Sequence, residues 1–208
     1  MNPVTQARYD ANRLMVMRQV RYNPKNKAQS LDTVIFLNGL PIATLELKNH
    51  RTGQNYKHAI HQYKTDRDPK APIFRFKERA LVHFAVDNDI VYMATELKKK
   101  DTFFLPFNRG NNNGAGNPLA QGKNKTFYLW EQVLERHSLL DIVGRFIFVQ
   151  KEEKVVEVKG KEKTITKERL IGIMIWNAMR KTRKSQNESK PSQKESWDNS
   201  PHETRIVA

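Results

Sequence analysis

Two apolar runs joined by Asn38-Gly39 set the tightest limit on what this chain can fold into: "SLDTVIFLNGLPIATLELKNH", residues 30–50. Asn-Gly accepts the positive φ angles of a tight hairpin turn, so runs 32–37 and 41–48 are read as adjacent antiparallel strands. A three-residue loop of Asn38, Gly39 and Leu40 pairs Leu37 with Pro41 and sets Asp32 opposite Glu46. A two-residue turn slips the pairing by one and leaves Asp32 diagonal to Glu46. Alternate residues of a strand share a face, so Glu46 and Lys48 point the same way and Asp32 joins them across the ladder. Either register gathers two carboxylates and an ammonium at one end of a sheet.

Two carboxylates a few ångströms apart repel unless a proton or a cation stands between them. Oxygen-only ligands favour Mg2+ or Mn2+. Such an ion can bind a phosphodiester and lower the pKa of an attacking water, and a lysine on the same face can meet the developing negative charge. On these three residues alone an ion-paired strand end is favoured by roughly two to one, and the hairpin, the apolar flanks and the basic charge bring the two readings to about even. The charge balance bears on the choice. Thirty-seven Lys and Arg against 22 Asp and Glu give a formal +15 over 208 residues, a field that seeks polyanions, nucleic acid first. The absence of cysteine excludes disulfides and thiolate metal sites and fits a reducing cytoplasm. No apolar stretch reaches the length of a membrane span, and residues 1–20 lack the apolar core of a signal peptide.

Elsewhere, "RLMVMRQVRY" (13–22) alternates as a strand does. Tyr56, Ala59, Ile60 and Tyr63 recur on one stripe of a helix over 55–66, stopped by Asp68-Pro69 and Pro72. "ALVHFAV" and "IVYMATE" flank Asp87-Asn88-Asp89 as a second hairpin, where turn chemistry accounts for both aspartates. Residues 107–118 read as a long Asn/Gly loop, and 127–149 as one or two helices with Trp130, Val133 and Leu134 on one face. Residues 151–170 read as a charged hairpin around Gly160 or as a linker, followed by a short helix to 179. From 180 to 208 the chain is a basic, polar tail whose composition predicts disorder.

At "LDTVIFLNGLPIATLELKN" the chain resembles the N-terminal nuclease domain of the restriction (R) subunit of type I restriction-modification enzymes. The likeness continues through "HAIHQYKTDRDP", "RALVHFAVDNDIVYMAT", "FLPFNRGNNNGAGNP", "LWEQVL" and "SLLDIVGRFI". It implies an α/β fold of the PD-(D/E)xK class, a mixed β-sheet flanked by helices, over residues 1–150. By resemblance Asp32 and Glu46 hold the metal, the Leu47 carbonyl completes its inner shell, and Lys48 is the catalytic lysine. Gln62 fits the family's helix glutamine as a DNA- or site-positioning residue. Asp66 stands where the family has a tyrosine four residues later, so that tyrosine is not carried over.

The implied reaction is Mg2+-dependent hydrolysis of DNA by a cytoplasmic enzyme. In the intact enzyme it is driven by ATP-dependent translocation and needs modification and specificity subunits. No Gly-x4-Gly-Lys-Ser/Thr phosphate loop is present, since Gly116 to Gly122-Lys123-Asn124 has the wrong spacing, so the ATP-using motor is expected outside this chain. Relative to the family the nuclease part is expected to lack upstream helices, as in a truncated or split gene. Two other readings stay open: a noncatalytic DNA- or subunit-binding remnant, and a free-standing resolvase- or repair-type nuclease. Arg109 in the Asn/Gly loop is a candidate phosphate ligand, as are Lys98, Lys99 and Lys100 after a strand. Phe74 and Phe76 read as core residues on an otherwise wet strand. His50, His58 and His61 lack a local carboxylate to complete a zinc set and read as solvated positions.

Overall fold

The computed structural model describes residues 2–24, 26–158 and 161–171. Six strands form one sheet in chain order: β1 (Leu14–Arg21), β2 (Ser30–Leu37), β3 (Leu40–Leu47), β4 (Val82–Val86), β5 (Val91–Ala94) and β6 (Leu105–Pro106). Every neighbouring pair is antiparallel except β3 and β4. A parallel pair needs a crossover, and helix α2 (Tyr56–Thr65) provides it. Asn55 caps α2 through a capping box with His58. Asp87, from the β4–β5 turn, also accepts the Tyr56 amide at 2.9 Å, tying the helix N-terminus to the sheet.

The β2–β3 turn is the two-residue one: Leu37 pairs with Leu40, and Asn38 and Gly39 take φ of 51° and 84°. Of the two turns the sequence leaves open the shorter one forms, yet Asp32 does not end up diagonal to Glu46. A bulge follows at once, so that Phe36 pairs with Pro41 but Ile35 pairs with Ala43, leaving Ile42 as the extra residue. Beyond it Thr33 faces Leu45, and the same register continued sets Asp32 across from Glu46. The bulge restores what the short turn takes away.

Each sheet face is covered. On one, Ile35, Ala43, Leu45, Phe84 and Met93 pack beneath Tyr128, Leu129, Val133, Leu139 and Ile142. These last come from a π-helical turn (Leu129–Val133), α3 (Arg136–Asp141) and a second π turn (Ile142–Phe146). Leu129 rather than Trp130 turns inward; Trp130 is exposed, against the expectation that it shares the face of Val133. Helix α1 (Pro3–Asp10) leans on this layer by stacking Tyr9 on His137. On the other face Val34, Tyr63, Phe74 and Leu97 pack together beneath α2 and the segment after it.

The result is a layered α/β architecture. A separate hairpin follows, β7 (Phe148–Val158) with β8 (Lys161–Ile171). The boundary placed at residue 150 therefore falls inside β7, and of the two readings of 151–170 the hairpin is the one found. The helix expected up to 179 and the tail from 180 lie outside the described residues. Among the described residues no helix is long and apolar enough to cross a membrane.

Candidate functional site

Strand β3 alternates between two environments. Ala43 and Leu45 face the apolar layer, while Thr44, Glu46 and, just past the strand, Lys48 face the α2 side. Asp32 of β2 is on the α2 side as well, in phase with Val34. The hairpin thus brings Asp32, Glu46 and Lys48 to one face, where the charges of Asp32 and Lys48 both act on Glu46.

The three residues are held differently. Asp32 is half-buried; its Oδ2 accepts the Leu47 amide at 2.8 Å and its Oδ1 accepts the Gln19 side-chain amide at 3.3 Å. In an antiparallel ladder a residue's N–H and C=O turn to the same neighbour, so the Leu47 carbonyl is also on the Asp32 side. Lys48 is half-exposed, with its main-chain N–H bonded to the Val86 carbonyl of β4 at 2.8 Å.

Glu46 has no solvent exposure at all. Its Oε1 accepts two N–H groups of Arg67, from Nε at 2.9 Å and Nη2 at 2.6 Å. Its Oε2 is buried and has no hydrogen-bond partner. Burial pushes the Glu46 carboxyl up to about 7 against the pull of Arg67, and the Asp32 charge adds to the rise. Arg67 is itself buried, spans from Glu46 to the Ser30 carbonyl at 2.8 Å, and lies over the Tyr22 ring. Nothing in "KTDRDP" marks this arginine as interior. Its only available signal was indirect: a buried carboxylate needs a counter-charge.

An open cleft of about 640 Å³ runs past this corner, lined by Ser30, Asp32, Gln62, Asp66, Arg67 and Lys99 among others. Gln62 therefore does reach the cleft that Asp32 faces. So does Lys99, whereas Lys98 pairs with Glu96 at 2.7 Å. Arg109 is not among the lining residues. Its guanidinium lies over Phe127, and its backbone N–H bonds to Asn117 in the loop beyond β6.

Beneath the cleft a polar column continues inward. Thr44 Oγ1 shares hydrogen bonds with the Tyr63 hydroxyl (2.9 Å) and His83 Nδ1 (2.8 Å). Burial lowers His83 to about 3 and so keeps it neutral. Neither Thr44 nor His83 was singled out from sequence, because each sits in a strand pattern that reads as apolar. The His50 ring nitrogens lie 3.2 and 3.5 Å from the Asp87 and Asp89 carboxylates, His58 serves the helix cap, and His61 is exposed. None of the three turns to Glu46.

Asp32, Glu46 and the Leu47 carbonyl offer only hard oxygen donors, and the unpartnered Oε2 is an acceptor a divalent cation would satisfy. Among the described residues no three His, Asp or Glu side chains converge as a metal-binding group. A cation here would therefore complete its shell with main-chain and water oxygens.

The fold and this corner define a mixed α/β domain whose hairpin carboxylate Asp32 opens on a polar cleft with Gln62, Asp66, Arg67 and Lys99. Residues 4–102, from α1 through the turn after β5, match the model of the family described as Type I restriction enzyme R protein N terminus (HSDR_N). The matched segment contains Asp32, Glu46, Lys48, Gln62 and Arg67 and ends before the loop that carries Arg109. No curated protein and no solved structure matches the chain significantly.

Proposed function

We propose that residues 1–150 form a PD-(D/E)xK nuclease domain that hydrolyses DNA phosphodiesters with Mg2+ or Mn2+. In this reading Asp32, Glu46 Oε2 and the Leu47 carbonyl hold the cation. The observation that carries it is the buried, unpartnered Glu46 Oε2 on the same sheet face as Asp32. A buried lone-pair oxygen with no protein donor is expensive unless something positive completes it. When bound, the divalent ion supplies a Lewis acid for the phosphodiester oxygens and lowers the pKa of an attacking water.

The chain's own residues do the rest. Lys48 orients that water or meets the charge developing on the phosphate. Arg67 fixes Glu46 by one oxygen and leaves the other for the cation. Gln62 and Lys99 line the cleft and position the DNA backbone; Arg109, outside the cleft, is assigned a more distant phosphate contact. The net +15 raises the local concentration of DNA without selecting sequence. In the intact type I enzyme the domain works beside an ATP-driven motor and with modification and specificity subunits.

A second reading has one observation in its favour: Arg67 already neutralises Glu46, which suits a noncatalytic DNA-binding or subunit-binding domain. Plasmid nicking with Mg2+ decides between the two. Wild type should nick, and Asp32→Ala and Lys48→Ala should each lose on the order of 100-fold or more. Plasmid bound but left uncut by all three proteins would establish the noncatalytic reading.

A further inference from the structure

Gln19 lies in the middle of β1 with φ of 52°, in the left-handed region. Among the described residues the other non-glycine positions with positive φ, Asn38, Lys77, Lys99, Asn112 and Asn113, all lie in turns. Glutamine has no intrinsic tolerance for this conformation, which asparagine and glycine accept far more readily. The strand partners run Arg18 with Thr33 and then Val20 with Leu31, passing over Gln19, whose place opposite is Asp32. The missing backbone pairing is replaced by the side chain. Gln19 Nε2 donates to Asp32 Oδ1 at 3.3 Å, and Gln19 Oε1 accepts the Ser30 hydroxyl at 3.1 Å. Backbone strain of this kind persists only where its surroundings hold it, and it gathers at functional sites.

We propose that Gln19 is a positioning residue for the acidic hairpin: its left-handed backbone turns its amide onto Asp32, which it holds from the β1 side while the Leu47 amide holds it from β3. Ser30 fixes which end of the Gln19 amide faces the carboxylate, because its hydroxyl occupies the oxygen end. The carboxylate is thereby clamped between two donors and set toward the cleft instead of swinging into solvent at the sheet edge. This role rests on Asp32 being a cation ligand. Groups that orient ligands from outside the first shell typically account for about 10-fold or more in metal affinity.

Two variants separate the backbone from the amide. Gln19→Asn and Gln19→Gly both accept the left-handed conformation, and neither reaches Asp32. Without metal, each should melt roughly 2–4 °C above wild type, since the strain is relieved. By calorimetry with Mn2+, each should bind about 10-fold more weakly than wild type, with Asp32→Asn as the reference for a lost ligand. A stabilised protein that binds its cation less well is the signature of positioning, which a merely structural glutamine would not produce. Wild type and Gln19→Asn binding Mn2+ equally, both better than Asp32→Asn, would overturn the role of Gln19 alone. Wild type that binds no Mn2+, or binds it as Asp32→Asn does, would overturn the cation reading and the role of Gln19 with it. Melting temperatures below wild type in both variants would overturn the strain.

Discussion

Leu45 and Glu46 are neighbours in one strand and both are fully buried, yet they sit in opposite environments. Leu45 joins a hydrocarbon layer where any apolar side chain of similar volume would serve. Glu46 heads a column of Arg67, Thr44, Tyr63 and His83 in which Glu46 Oε1, Thr44 Oγ1, the Tyr63 hydroxyl and His83 Nδ1 each have a particular partner, while Glu46 Oε2 and His83 Nε2 have none. Full burial of an aliphatic side chain stabilises by about 1.5–3 kcal/mol. Burying an ion pair gives no such assured return, because desolvation offsets most of the attraction. The apolar packing on both faces of the sheet therefore accounts for the fold, and the polar column is retained at the expense of stability. That asymmetry is why the column, and not the apolar layer, carries the candidate site.

The largest effect should come from breaking the polar side. Arg67→Met leaves the Glu46 charge buried and alone, and should cost about 3–5 kcal/mol in urea unfolding. A cost below about 1 kcal/mol would mean the column is no more demanding than the apolar layer. Next in size, Leu45→Ala should cost about 2–5 kcal/mol through the cavity it leaves. Its Mn2+ affinity should stay within a factor of two or so of wild type, because the two sides do not share partners. A large loss of affinity there would erase the distinction.

The pH dependence sharpens the contrast further. Glu46 titrates at about 7 when folded and 4.5 when not, so over that window the folded state keeps a proton the unfolded chain has released. Its contribution is lost as pH rises. His83 titrates at about 3 when folded and 6.5 when not, so its contribution is lost as pH falls below 6.5. The two oppose each other between 4.5 and 6.5, and wild-type stability should be nearly flat there. Glu46→Gln removes one of them. It should expose the His83 slope, at most about 1.4 kcal/mol per pH unit, in chemical unfolding at a series of pH values. The smallest effect belongs to the turn. Gly39→Ala at φ of 84° meets no neighbour within 4 Å, so only the backbone conformation is penalised, by about 1 kcal/mol in the same unfolding measurement.

The hairpin was legible in sequence because Asn38-Gly39 and the period of two are strong local signals, and they gave the shared face of Asp32, Glu46 and Lys48. The register was reached by a different route. Of the two turns left open the two-residue one forms, and a bulge at Ile42 restores the Asp32–Glu46 register of the longer loop. A bulge inside an apolar run leaves no trace in composition, so the sequence offered no means of finding it. The helix stripe of α2 was readable, and so was the Asp87 turn, whereas the hold of Asp87 on the Tyr56 amide depends on a contact 31 residues apart. Arg67 and Gln19 were missed for the same reason. Their importance lies in the carboxylates they touch across strands, while their own neighbours in the chain are unremarked polar residues. Trp130 was misplaced because a π turn shifts the residues that follow it off the spacing of 3.6.

Strand order in the main sheet equals chain order, so each strand is laid beside the one made just before it. Asp32 and Glu46 can face each other across β2 and β3 while the ribosome has yet to make β4, the apolar lid of 127–146, or the Asn/Gly loop. The acidic pair is thus among the first long-lived neighbours of the nascent chain, with Arg67 emerging only some twenty residues behind Glu46. Until that guanidinium appears, two negative groups must be tolerated side by side in water. Pulse-labelling of chains stalled with the hairpin outside the ribosomal exit tunnel, residue 67 first still inside it and then beyond it, would show whether the hairpin closes at the earlier length or waits for its counter-charge.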